Sequence, residues 1–443
     1  MRISTSMIFD AGVRSMNTQT ASLLQLQQQV ASGRRILNPS DDPVNAARAL
    51  EVTQSQSVIA QFSVNHNNAT SSLGLEEAQL TSVTDVLARV RELTVQAGNT
   101  TLAASDRKAI AFELRARFDE LVGLANATDG GGQYIFSGFM GATKPFGGSV
   151  DGIVSGTDPM QYFGDEGQRS LQISPSRFIE VSDSGNDVFM RVRNGNNSFK
   201  TGYTSTAGKI DNQGIAMIDG GTVTDPSKWN AAASKNYEIV FSKDNSVVPP
   251  KTYYDIVDTD STLSILTDAP PDPLDFSNQR EYISGQPILL KGLSIDLGSS
   301  VTVQNAPAEG DSFTISPSSS QSMFETVANL IGALEKTVEV ATDGTSSGIA
   351  RLSMDVGFAL NNLDQSTENV LRVRAAIGSR MGEIDSTSGV NEDLDLQYQQ
   401  TLSQLQDLDY AKTISDLTRK QTDLQAAQQA FVRVSQLSLF NYL

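Results

Sequence analysis

Few side chains in this 443-residue sequence are suited to covalent or metal chemistry. There is no cysteine, which removes a thiolate nucleophile, thiolate metal ligands and any disulfide framework. The single histidine, His66, cannot form a paired-histidine zinc site or an H-E-x-x-H protease motif. It sits in the polar run Asn65-His66-Asn67-Asn68 and reads as a solvated helix side chain. Gly202 to Lys209 approaches a phosphate loop, but five residues separate its glycines where the motif has four, and Ile210 replaces the magnesium-binding Ser or Thr. Asp258-Thr259-Asp260 starts like a calcium loop yet lacks the central glycine, and Ala269 stands twelfth where a Glu closes such loops. The acidic pairs Asp41-Asp42 and Asp407/Asp409 could be imagined as general acid and base, but they fall where helix caps and bends are expected. Trp229 reads as a β-core or surface anchor. The expectation is a protein with no catalytic residue, cofactor or metal.

The partners are bounded by charge. Lys plus Arg is 33 and Asp plus Glu is 51, a net charge of −18. That sign disfavours nucleic acid, whose binding needs a basic footprint, and equally disfavours anionic lipid. No run approaches the ~18 apolar residues of a membrane span, and the N-terminus lacks the basic-then-apolar pattern of a signal peptide.

Composition divides the chain. Residues 1–130 and 321–443 are rich in Ala, Leu, Gln and Glu, whereas 131–320 hold most of the Gly, Pro, Tyr and Phe. The fold class expected is α+β: long coiled-coil-like helices from both termini with an inserted all-β domain. The boundaries are 1–42 with 400–443 as a terminal assembly domain, 43–144 with 321–399 as a helical rod, and 145–320 as the β insert. Heptad spacing supports the rods. Leu73, Leu80 and Leu87 alternate with Val83, Val90 and Ala97, and Ile349, Val356, Leu363, Val370, Ile377 and Ile384 form a longer register. Gly33 reads as a helix C′ residue, Asn38-Pro39 as extended chain, and Asp42-Pro43 as an N-cap followed by Pro at the first helical position. Ser105 and Asp106 should open a further helix that ends at Gly130-Gly131-Gly132. Gln133–Gly138 reads as a short strand, and Ser388-Gly389 as a break or kink. Alternating runs such as Tyr237/Ile239/Phe241 and Phe313/Ile315 describe half-buried strands of an antiparallel sandwich or barrel.

The terminal helices are unusually poor in charge. Residues 1–33 carry only Arg2, Asp10 and Arg14, and 426–443 only Arg433. Their apolar stripes are Phe9, Val13, Met16, Leu23 and Val30 at one end, and Leu417, Leu424, Ala427, Phe431, Val434, Leu437 and Phe440 at the other. A solvated helix carries charge over most of its outer face. A neutral polar face beside an apolar stripe instead suits contact between identical neighbours, where like charges would repel. These residues are the expected assembly interface, and Gly33, Pro39, Asp41, Asp42 and Pro43 the expected bend motif.

At these residues the sequence resembles the flagellin superfamily of bacterial flagella. Ser32-Gly33-Arg34-Arg35-Ile36-Leu37-Asn38-Pro39-Ser40-Asp41-Asp42-Pro43 is similar to the family's bend between its first two helices. Leu87–Gln96 resembles its rod helix, and Asp407-Leu408-Asp409-Tyr410-Ala411 the entry to its C-terminal helix. Within the superfamily, Pro39–Pro43, Gln133–Gly138, Tyr162–Arg169 and the closing Leu437-Ser438-Leu439-Phe440 look like the junction branch between hook and filament. The resemblance implies an extracellular structural adaptor, exported by the flagellar type III apparatus without a cleaved signal peptide. The partners it implies are the first hook-associated protein, flagellin, an export chaperone and further copies in a ring. Two other readings are flagellin itself and a surface protein whose β insert binds glycans.

Overall fold

The computed structural model describes residues 5–203, 212, 216–272, 275–298, 311–340 and 346–436. Its helices are α1 (Thr5–Ser32), α2 (Pro43–Ala97), α3 (Ala104–Ala125), α4 (Val150–Ser155), α5 (Pro226–Ala231), α6 (Met323–Val340), α7 (Ser346–Gln406) and α8 (Tyr410–Gln436), with a π-helical turn at Asn186–Met190. The chain divides into two compact units. The first holds 1–67, 172–177 and 384–443; the second holds 68–171 and 178–383.

In the second unit the heptad positions of α2 are the core. Leu73, Leu80, Val83, Leu87, Val90 and Ala97 are wholly buried, and Leu363, Val370 and Ile377 of α7 almost so. Each large apolar side chain so buried contributes about 2 kcal/mol. Ile349, which begins the α7 register, is instead exposed. Arg374 pairs with Glu77 at 2.7 Å and Arg91 with Asp364 at 2.8 Å, holding α2 and α7 in register. α3 opens with the Asp106 carboxylate accepting from the Ala103 N–H and packs on α6 through Phe118 and Phe324, ring centroids 6.1 Å apart. Phe324 also meets Phe146 at 5.3 Å and Phe189 at 5.8 Å, so an aromatic cluster joins α6 to loop segments far off in sequence.

Among the described residues the β region holds five antiparallel sheets, and the two largest, both open, lie over one core. One sheet runs Leu263–Ser264, Lys251–Asp258, Tyr237–Asp244, Ser312–Pro317, Phe199–Gly202, with Arg280–Glu281 also pairing on 251–258. The other runs Ile288–Leu290, Leu293–Ile295, Thr222–Val223. Phe241 stands opposite Tyr254 and Phe313 opposite Ile239, setting the alternating apolar residues on the core face. Neither sheet closes into a barrel. Trp229 lies in that core, together with Met354 of α7. The opposite face is also covered: Glu238, Ser242 and Asp244 are buried, and the Ser242 hydroxyl donates to Gln279 Oε1.

Four local expectations are corrected. α3 ends at Ala125 and not at the glycines, because Asn126 caps it by donating to the Val122 and Phe146 carbonyls. Gln133–Gly138 is no strand; it is a turn segment with one bridge, Thr128 to Tyr134. α7 passes unbroken through Ser388-Gly389. A single helical glycine costs only about 1 kcal/mol, and a helix of 61 residues absorbs that. His66 is not solvated but 4% exposed. The near-miss phosphate loop falls mostly on 204–209, outside the described residues.

Candidate assembly interface

The bend between α1 and α2 is built from local chemistry in the first unit. Gly33 has φ +71°, the left-handed conformation that glycine adopts without a Cβ penalty, and its N–H closes α1 on the Gln29 carbonyl at 2.8 Å. Asp41 Oδ2 accepts from the Leu37 and Asn38 N–H groups at 3.1 and 2.9 Å, folding the Asn38-Pro39 segment over. Asp42 then caps α2, accepting from the Asn45 N–H at 3.1 Å, and Pro43 occupies the first helical position. That N–H bond, joined by the Asn45 side chain, holds the Asp42 carboxyl below the usual carboxylate range.

This bend is tied to a second one. Residues 407–409 separate α7 from α8, and Arg34 forms an antiparallel bridge with Asp407. The Arg35 N–H donates to the Gln406 carbonyl at 2.7 Å, and the Leu408 N–H to Gly33 O at 3.0 Å. The Arg35 guanidinium donates to the Leu405 carbonyl at 2.8 Å. Asp409 caps α8, accepting from the Lys412 N–H. The sequence motifs on either side were each legible, but their pairing was not: a backbone bridge has no side-chain signature.

α1 and α8 pair beyond this clasp. Phe9 meets Phe431 with centroids 4.9 Å apart, and Gly12 faces the Phe431 ring, where an added Cβ would come within 2.9 Å. Val13, Met16, Leu23 and Val30 of α1 are half-buried, as are Leu417, Leu424, Ala427 and Phe431 of α8. Val434 lies in α8, while Leu437 and Phe440 lie outside the described residues. Among the described residues of α1 none is fully buried, and in α8 only Thr413 is. Met7, Phe9, Leu24, Ile414 and Val432 are each at least half exposed.

The N-terminal helical region of bacterial flagellin matches residues 3–140, and its C-terminal helical region matches 360–443, together just over half of the chain. The chain belongs to the flagellin family. Over 440 residues this family member is 26% identical to flagellar hook-associated protein 3 of Escherichia coli (strain K12), covering 99% of both chains. The solved structure of flagellar hook associated protein-3 from Legionella pneumophila is 28% identical, with a TM-score of 0.69 over 80% of this chain and 98% of that one. Flagellin proper matches a smaller part: phase 1 flagellin of Salmonella naestved is 33% identical over 123 residues, 28% of this chain. The bend motif and both apolar stripes up to Phe431 thus fall within the two matched flagellin regions.

Proposed function

We propose that this flagellin-family chain is the structural adaptor of the bacterial flagellum that joins hook to filament, with no catalytic role. The observation that carries this reading is the extent of the likeness. Hook-associated protein 3 aligns with the chain from end to end, through the β region as well as the helices, whereas flagellin aligns with little more than a quarter of it. The clasped helix pair supports it, since Met7, Phe9, Leu24, Ile414 and Val432 are left at least half exposed for neighbours to cover.

In this reading α1 and α8 form the inner layer, with 1–42 and 400–443 as its extent. The helices of 43–144 and 321–399 form a rod, and 145–320 an outer domain. The first hook-associated protein lies on one side of a ring of copies and flagellin on the other; an export chaperone holds the C-terminal helix before secretion through the type III apparatus. Purified chain added to isolated hooks capped with the first hook-associated protein should decorate their tips by electron microscopy, and flagellin should polymerise only on tips so decorated. Filaments formed by the chain alone, with no nucleus, would make it a flagellin instead.

A further inference from the structure

Residues 181–185 of the second unit are buried, yet Val181 is the one apolar side chain in the run Val181-Ser182-Asp183-Ser184-Gly185. The hydrophobic effect does little to hold such a segment, so hydrogen bonds must do most of it. The Ser182 hydroxyl accepts from the Arg169 N–H at 3.0 Å, and the Ser184 hydroxyl donates to the Asp165 carbonyl at 3.2 Å. The Gly185 N–H donates to the Phe136 carbonyl at 3.0 Å. Two long helices reach the segment with ionisable side chains. Arg380 of α7 donates to Asp183 Oδ2 at 2.6 Å and to the Glu180 carbonyl at 3.2 Å. Glu76 of α2 accepts from the Asp183 N–H through Oε1 at 3.1 Å.

Glu76 is placed where a carboxylate is poorly served. It is wholly buried, and its Oε2 has no hydrogen-bond partner. The Asp183 carboxylate beside it is already satisfied, by Arg380 on Oδ2 and by the Gln168 amide at 3.0 Å on Oδ1. Glu77, the next residue of α2, is paired with Arg374 at 2.7 Å. An ionised Glu76 would be a buried anion facing a second anion, with one neutral N–H to compensate it. The solvation it loses exceeds what one such bond returns. Burial first, then the Asp183 charge, outweigh Arg380, the Asp183 N–H and Arg169, and raise the carboxyl from 4.5 to about 8.

We infer that residues 181–185 are a strap, fastened to α2 by the neutral form of Glu76 and opened when that carboxyl loses its proton. Once the strap lifts, Glu76 meets water and ionises near the ordinary carboxylate value. Protons therefore favour the closed form. The opening constant is smallest below about pH 4.5, climbs by up to about tenfold per pH unit for one proton, and levels off above about 8. Opening stays local because the strap leaves little apolar surface behind, whereas Leu80, Leu87 and Val90 of α2 are wholly buried in the core. An open strap presents the Asp183 and Arg380 charges to solvent, so the surface of the subunit changes with the pH of the medium. The strap belongs to the subunit's own fold and works in the same way whichever flagellar structure the subunit joins.

Hydrogen exchange of the full-length chain between about pH 5 and 9, corrected for the pH dependence of the exchange chemistry itself, reads the opening constant. Peptides covering 181–185 should lose protection by about tenfold per pH unit up to about pH 8 and little beyond, while those covering Leu80–Val90 keep theirs. Glu76→Gln retains the Oε1 acceptor without an ionisable proton, so its strap should show protection independent of pH. Asp183→Asn leaves Arg380 facing Glu76 without a competing carboxylate, so the rise should end at a lower pH. A protonated-carboxyl infrared band that fades between about pH 7 and 9 should be seen in the wild-type chain and be missing from Glu76→Gln. Should Glu76→Gln fail to fold, the wild-type slope and the fading band still decide. A wild-type strap whose protection does not change with pH would overturn the inference. So would a slope that Glu76→Gln retains, or 181–185 opening only together with Leu80–Val90, which would be unfolding of the whole unit.

Discussion

Phe9, four residues into α1, and Phe431, near the end of α8, meet with ring centroids 4.9 Å apart and planes tilted by 49°. The contact draws together chain segments more than four hundred residues apart in sequence, and Gly12 makes room for it. Yet Phe9 stays about half exposed, so the contact leaves much of that ring's surface in solvent.

That economy sets the first prediction. Leu424→Asp places a charge in the half-buried stripe of α8, where assembly would desolvate it. Tip decoration and motility should be lost. The main thermal transition should move by less than about 0.5 kcal/mol equivalent, the range of surface substitutions. A matching loss of rod stability would show that α8 is part of the monomer's own core.

Gly33→Ala tests the clasp. At φ +71° a Cβ is strained, and here it would also sit 2.8 Å from the Tyr410 hydroxyl. The conformational cost alone is about 1–2 kcal/mol. The bend should loosen, seen as faster proteolysis around 33–42 and 405–410, and junction assembly should weaken. Gly357→Ala is the control, since its added Cβ meets nothing within 4 Å.

Glu76 of α2 supplies a pH dependence. It is wholly buried, Oε1 accepts from the Asp183 N–H at 3.1 Å, and Asp183 is itself paired with Arg380 at 2.6 Å. Burial, reinforced by the negative charge of Asp183 and opposed by Arg380 and Arg169, pushes the Glu76 carboxyl up from near 4.5 to about 8. A raised folded-state value means that the stabilising proton is fully present below the unfolded value and is lost as pH rises through the folded one. Stability should therefore fall between about pH 4.5 and 8, by at most ~1.4 kcal/mol per pH unit for one proton. Glu76→Gln keeps the Oε1 acceptor without the charge, so it should flatten that slope. Identical pH profiles for the two proteins would show that Glu76 is ionised throughout.

Much of the fold was legible because periodic burial writes itself into sequence. The leucine heptad of α2, the Asp42-Pro43 start and the alternating strands all appear where local rules place them. What was hidden depends on contacts distant along the chain. His66 looks solvated among asparagines, but Asn65 and His66 turn out to bond the Gln172 and Ile173 carbonyls, more than a hundred residues away. Gln133–Gly138 has strand-forming residues, yet the aromatic cluster claims Phe136, which packs on Phe189 at 5.1 Å. The apolar stripes of α1 and α8 could be read from their spacing; the clasp through Arg34 and Asp407 could not, being made by backbone.

The β core also depends on a residue outside its own stretch. Met354 of α7 is 3% exposed within it. Met354→Ala should cost about 2–5 kcal/mol and lower the β-region melt, monitored by the fluorescence of Trp229 in the same core. An unchanged transition would mean that residues 145–320 close their core without α7.

The terminal helices should gain their stability on assembly. Isolated helices are marginal without an apolar face to pack on, and most helical stability in proteins comes from that packing. Among the described residues α1 buries no side chain fully, and α8, which packs on α1, buries only Thr413. α1 holds only Asp10 and Arg14 as charges, and α8 adds one i,i+3 pair, Arg419–Asp416 at 2.7 Å, so surface ion pairs lend the two helices only a few tenths of a kcal/mol. The pair is therefore expected to open readily in the free subunit, keeping it unpolymerised during export, and to close when neighbours at the growing tip cover Met7, Leu24, Ile414 and Val432. Hydrogen exchange measures this directly. Amides of Leu23–Val30 and Leu424–Phe431 should exchange in the free subunit at close to unprotected rates, while those of Leu73–Val90 stay protected, and the terminal sets should become protected in assembled junctions. Strong protection of both terminal stretches in the free subunit would show that the helices are already locked, and assembly would then need no folding step at all.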